Sequence, residues 1–76
     1  GSCFKNPTGH FAGKLIEEAG FKGKCIGNMA FSEQHANFLV NLGGGTFNEA
    51  LELITTAKEA VFKRFGIILE EEIIVL

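Results

Sequence analysis

Seventy-six residues can enclose one small core, since a chain this short buries only about 60% of the surface its unfolded form exposes. With 46% hydrophobic residues, 21% charged residues and a single proline the composition is globular rather than disordered. Seven Lys and Arg against nine Asp and Glu, a net charge of −2, leave no electrostatic footprint for nucleic acid or an anionic membrane.

The chain begins with Gly1-Ser2-Cys3-Phe4-Lys5-Asn6-Pro7, a strand-to-turn heptapeptide that places a hydroxyl, an ammonium and a carboxamide close together. Thr8-Gly9-His10 leads into Phe11, Ala12, Leu15, Ile16 and Ala19, an apolar stripe at helical spacing that ends at Gly20. From Gly23 to Phe31 the apolar residues Cys25, Ile26, Met29 and Phe31 are interrupted by Gly27-Asn28, a pattern of extended chain with a turn or bulge rather than of helix. Ser32-Glu33-Gln34-His35 can form one capped turn. Phe38-Leu39-Val40 reads as a short buried strand, stopped by Asn41 and by Gly43-Gly44-Gly45, which reads as a flexible linker.

Thr46-Phe47-Asn48-Glu49 has the form of a capping box and predicts the start of the longest helix. Phe47, Leu51, Ile54, Ala57 or Lys58, Val61 and Phe65 share a face, Lys63 and Arg64 suit the negative helix end, and Gly66 is a natural C′ residue. Ile67 through Leu76 predicts a closing strand. The order β-α-β-β-α-β implies an α+β fold, two helices packed on a small mixed sheet. Eight phenylalanines supply most of the bulk, and in a domain that packs against others some of them stay exposed.

No apolar run approaches the ~20 residues that span a bilayer, and no charged leader precedes an apolar stretch, so a cytoplasmic location is expected, with no membrane or nucleic-acid partner. Cys3 and Cys25, without CxxC spacing, read as reduced thiols. These cysteines, His10 and His35 do not fall at zinc spacings, and no His-Glu-x-x-His is present, so no metal site is expected. Thr8 to Lys14 lies at a helix start, where unpaired N–H groups attract anions, but its glycine spacing and Leu15 after the lysine depart from a P-loop. In Glu70-Glu71-Glu72, alternation puts Glu70 and Glu72 on one strand face with Ile74 and Leu76, where desolvation would raise a carboxyl pKa. Taken by itself, Ser2 lacks a sequence-local base, and a non-catalytic module that binds a phosphorylated ligand or a protein partner is the alternative these residues leave open.

Three segments carry a resemblance: the opening heptapeptide, Phe11-Ala12-Gly13-Lys14-Leu15-Ile16-Glu17, and His35-Ala36-Asn37-Phe38-Leu39-Val40-Asn41. In order and spacing they resemble the C-terminal domain of the UDP-N-acetylenolpyruvoylglucosamine reductases, flavoenzymes of peptidoglycan precursor synthesis. The resemblance implies that residues 1–76 form a single substrate-binding domain, with the FAD-binding domains of the same enzyme absent from this chain. FAD and NADPH would serve the complete enzyme, no cofactor would bind this chain, and the chain by itself would be inactive. The partner implied is a UDP-sugar, the enolpyruvyl ether of UDP-N-acetylglucosamine, reduced to UDP-N-acetylmuramate. By position, Ser2 inherits the role of general acid that protonates the substrate carbon. Glu72 inherits that of the second glutamate in the family's Leu-Glu-x-Glu-Val strand, which stabilises the enolate, although Ile74 stands where a basic residue is common. The resemblance further implies that Asn6, assisted by Lys14, contacts the diphosphate, and that His35 touches substrate phosphate. Asn28 and Cys25 depart from the family pattern in a turn rather than in the chemistry.

Overall fold

The computed structural model describes residues 2–72. Helix α1, Ala12–Glu18, follows Phe11, whose backbone is still extended. Phe11 has no capping side chain; the N–H of Ala12 is instead taken by Asn6 Oδ1 at 2.9 Å, so a residue six positions earlier caps the helix. Ala12, Leu15 and Ile16 are buried, as the stripe predicts, while Phe11 points to solvent.

Strands β1, Cys25–Ile26, and β2, Met29–Phe31, form a hairpin in register Ile26 to Met29 and Cys25 to Ala30. Gly27 takes the first loop position at φ 57°, a conformation that favours glycine. Strand β3, Leu39–Asn41, adds to β2 with Ala30 opposite Val40, giving the order β1-β2-β3. This sheet is antiparallel throughout rather than mixed. Core residues Ile26, Met29, Phe31 and Leu39 lie on its helix-covered face, while Phe38, Val40 and Leu42, spaced two apart, are exposed.

Helix α2, Phe47–Phe65, has the predicted capping box, with Thr46 Oγ1 accepting from Glu49 N–H and Glu49 accepting from Thr46 N–H. It ends at Gly66, which sits in the left-handed region at φ 70° and donates to the Phe62 carbonyl. Its buried face is Leu53, Ile54, Ala57 and Val61. The predicted stripe is thus right along its middle, but Leu53 takes the place expected of Leu51, and Phe47 and Leu51 are exposed. Both helices and the inner sheet face enclose one core, in which Phe31 packs against Phe4 and, edge-on, against Phe21, with ring centroids 6.4 Å apart in each pair.

The glycine triplet is an organised turn rather than a slack linker. Asn41 Oδ1 accepts from the N–H groups of both Gly43 and Gly45 at 2.9 Å. A Cβ at Gly45 would stand 2.9 Å from the Asn28 carbonyl oxygen, so the chain passes too close to the hairpin loop for any larger residue.

The predicted first and last strands reduce to isolated bridges, Ser2 to Phe38 and Phe4 to Glu71. Cys3 and Phe4 are consecutive yet both fully buried, which breaks the alternation of faces that a regular strand needs. Ile67 to Glu70 form no strand, and the part of that expectation falling on residues 73–76, Ile74 and Leu76 included, lies outside the described residues.

Candidate functional site

The segment Ser2 to Lys5 runs between two others. On one side Cys3 N–H donates to the Asn37 carbonyl at 2.6 Å and Ser2 bridges Phe38. On the other, Lys5 N–H donates to the Glu70 carbonyl and Glu72 N–H to the Cys3 carbonyl, each at 2.8 Å. Glu72 is therefore paired with Cys3, the chain neighbour of Ser2, although the two segments come from opposite ends of the described chain. His35 lies against Phe38, the bridge partner of Ser2, with ring centroids 5.2 Å apart. The turn that sets His35 is the predicted one, in which Ser32 Oγ accepts from the N–H groups of Gln34 and His35 at 3.1 and 3.2 Å.

Asn6 and Lys14 lie elsewhere, in two separate depressions. Asn6 lines a polar cleft with Lys5, Thr8, Ile68 and Glu70. Because its Oδ1 accepts the Ala12 N–H, its remaining polar group is the amide donor, which suits an anionic or hydroxyl-bearing ligand. Lys14 lines a different hollow with Gly9, His10, Phe11, Glu18 and Phe65. The start of α1 thus gives one of its open N–H groups to the protein's own Asn6.

The acidic triplet is exposed along its whole length. Ile74 and Leu76, the neighbours expected to raise a carboxyl pKa at Glu70 or Glu72, lie outside the described residues. At Glu71 the Lys58 ammonium, hydrogen-bonded at 2.7 Å, holds the carboxyl below the usual range. Burial, with the Glu71 carboxylate nearby, pushes the Cys3 thiol up to about 12, so it is a packed side chain and not a nucleophile. Among the described residues no group of three or more His, Cys, Asp or Glu side chains could hold a metal ion, and no helix is long and apolar enough to cross a membrane.

One residue at this site carried no readable signal of its own. Asn37 lies inside the His35–Asn41 motif, and its carboxamide bonds both polar groups of the Phe4 backbone, 33 positions away.

The model of the UDP-N-acetylenolpyruvoylglucosamine reductase C-terminal domain matches residues 1–76. The chain belongs to this family. It is similar to the UDP-N-acetylenolpyruvoylglucosamine reductase of Aquifex aeolicus, 64% identical over 73 residues that cover 96% of this chain and 25% of the relative. The Helicobacter hepaticus reductase is 62% identical over 76 residues, covering 100% of this chain and 29% of its own. The crystal structure of the Thermus caldophilus UDP-N-acetylenolpyruvylglucosamine reductase superposes with a TM-score of 0.78 at 42% identity, over 95% of this chain and 25% of that one. The α+β fold is therefore that of the reductase C-terminal domain, and the chain spans between a quarter and a third of the length of these relatives.

Proposed function

We propose that this chain is the substrate-binding and proton-donating domain of a reductase that converts the enolpyruvyl ether of UDP-N-acetylglucosamine to UDP-N-acetylmuramate in the cytoplasm, using FAD and NADPH. The observation that supports this reading is the backbone pairing of the Ser2 segment, half-buried Ser2 bridging Phe38 on one side and neighbouring Cys3 accepting the Glu72 N–H on the other. In this reading Ser2 delivers a proton to the substrate carbon. Glu72 helps to stabilise the enolate beside the substrate carboxylate. Asn6 offers its amide donors to the diphosphate, with Lys14 and His35 contributing from the flanks.

The described residues give a flavin no cradle: their hollows are shallow and open, and no buried side-chain polar atom is left without a hydrogen-bond partner. In this reading FAD and NADPH are held by the larger part of the enzyme, and this chain serves the substrate. A free-standing phospholigand module is less well supported, because α1 has only seven residues and its first N–H is already bonded.

The test is Ser2→Ala in the complete enzyme, with the two half-reactions separated by stopped flow. Reduction of the sugar nucleotide should slow by about 10²–10⁴, the worth of a positioned general acid, while flavin reduction by NADPH proceeds at the parental rate. Equal slowing of both half-reactions, or of neither, would refute the assignment of Ser2.

A further inference from the structure

The segment that carries Ser2 has little regular pairing to hold it. Ser2 and Phe4 each make one isolated bridge, to different neighbours, and Cys3 bends into the core between them. Asn37 fills the interruption. Its main-chain carbonyl accepts the Cys3 N–H at 2.6 Å, its Oδ1 accepts the Phe4 N–H at 2.9 Å, and its Nδ2 donates to the Phe4 carbonyl at 2.9 Å. The carboxamide thus presents to Phe4 the acceptor and donor that a peptide of a neighbouring strand would present. An N–H on one side and a carbonyl on the other leave only one orientation of that amide.

The clamp is braced. Asn37 lies between buried Ala36 and Phe38, the bridge partner of Ser2. Behind it the backbone of α1 comes close enough that a Cβ on Gly13 would sit 3.6 Å from the Asn37 Cβ. One residue therefore ties helix α1, the β3 approach and the Ser2 segment together.

We propose that Asn37 is a positioning residue for Ser2, its side chain standing in for a missing strand so that the hydroxyl is held at a fixed distance and direction from Phe38 and Glu72. The inference rests on the reading of Ser2 as proton donor. It requires a planar group with one acceptor and one donor at this reach. Glutamine is one methylene too long. An ionised aspartate keeps the bond from Phe4 N–H but turns a second acceptor toward the Phe4 carbonyl, whereas a protonated aspartic acid restores both bonds.

The experiment uses the complete enzyme. Asn37→Ala should slow the substrate half-reaction by about 10–100-fold, the usual consequence of a misplaced catalytic group, with flavin reduction unchanged. Backbone amides of Cys3 to Lys5 should exchange hydrogen for deuterium faster than in the parent. Asn37→Asp should be impaired at about pH 8 and recover relative to the parent as the pH falls toward about 5, where its carboxyl takes up a proton, while Asn37→Ala stays equally impaired across that range. In a Ser2→Ala background, Asn37→Ala should add less than about a twofold further loss, because the two act as one unit. Parental rates in Asn37→Ala, or a loss of the same size with and without Ser2, would overturn the positioning role and leave the proton-donor reading intact. An inert Ser2→Ala would instead overturn the proton donor and this inference with it. If Asn37→Ala does not fold, the pH recovery of Asn37→Asp decides the matter, and a pH-independent loss there counts against the proposal.

Discussion

Lys58 Nζ and Glu71 Oε1 meet at 2.7 Å, joining the middle of α2 to the segment that carries Glu72. Both side chains are a little over a third exposed, so solvent screens the pair. Lys58→Met should therefore lower stability by no more than about 1 kcal/mol. Its clearer signature is in pH. The folded-state pKa of Glu71 is depressed, chiefly by the Lys58 bond, so its contribution is present above the unfolded glutamate value of about 4.3 and is lost as pH falls through the folded value. Urea titrations of parent and Lys58→Met should differ at neutral pH and converge on the acid side. A gap that persists there would mean that Lys58 acts through packing.

Thr46→Ala removes an oxygen that accepts the Glu49 N–H at 3.1 Å. Loss of such a cap costs about 1 kcal/mol, which in a domain of this size lowers Tm by roughly 4–8 °C. Glu49 also accepts from Asn28 N–H at 3.3 Å, so the same carboxylate fastens the β1–β2 loop to the start of α2. Amide exchange at Asn28 should accordingly rise in Glu49→Ala as well as exchange in the first turn of the helix. No change at Asn28 would show that the loop is held by its own turn.

Gly45→Ala forces a methyl group against the Asn28 carbonyl, Asn41 Oδ1 and Met29 Sδ. Backbone cannot yield as a flexible side chain does, and overpacking of this kind costs about 1–3 kcal/mol. A denaturation midpoint equal to the parent's would refute the view that the triplet is an ordered turn.

The two thiols should separate cleanly under alkylation. Cys25 is exposed, whereas Cys3 is fully buried with its thiol pushed up to about 12. Iodoacetamide at neutral pH should modify one cysteine per native chain and both after denaturation, as read by mass spectrometry. Native labelling of Cys3 would mean that the Ser2 segment opens readily.

What the sequence made legible is local. The Thr46–Glu49 box, Gly66, the Gly27-Asn28 turn and the Ser32 turn depend on groups within a few residues, and all four appear where the pattern puts them. Asn41 as organiser of the glycine triplet is a local signal too, an Asx turn to Gly43 that the linker reading passes over, whereas the Lys58–Glu71 pair draws on a contact that no spacing rule encodes. Leu53 and Leu51 are both leucines on one helix, and only the position of the sheet decides which is buried. At the site, Ser2, Glu72 and His35 are named by the resemblance alone; the fold pairs the Ser2 segment with the backbones of Phe38 and Glu72, while Asn6 and Lys14 line separate hollows.

The placement of the Ser2 segment between its two neighbours has a consequence for the order in which the domain is built and lost. The hairpin and each helix are made of near-neighbour contacts and can form early, whereas Cys3 to Lys5 pair with Glu70 to Glu72 only after nearly the whole described chain has been looped back. Their pairing rests on a few backbone bonds at one edge of the fold rather than on a long ladder, which is the kind of region that opens first below the global transition. The chemistry proposed for Ser2 should therefore fail on warming while α1 and α2 still give a full helical signal.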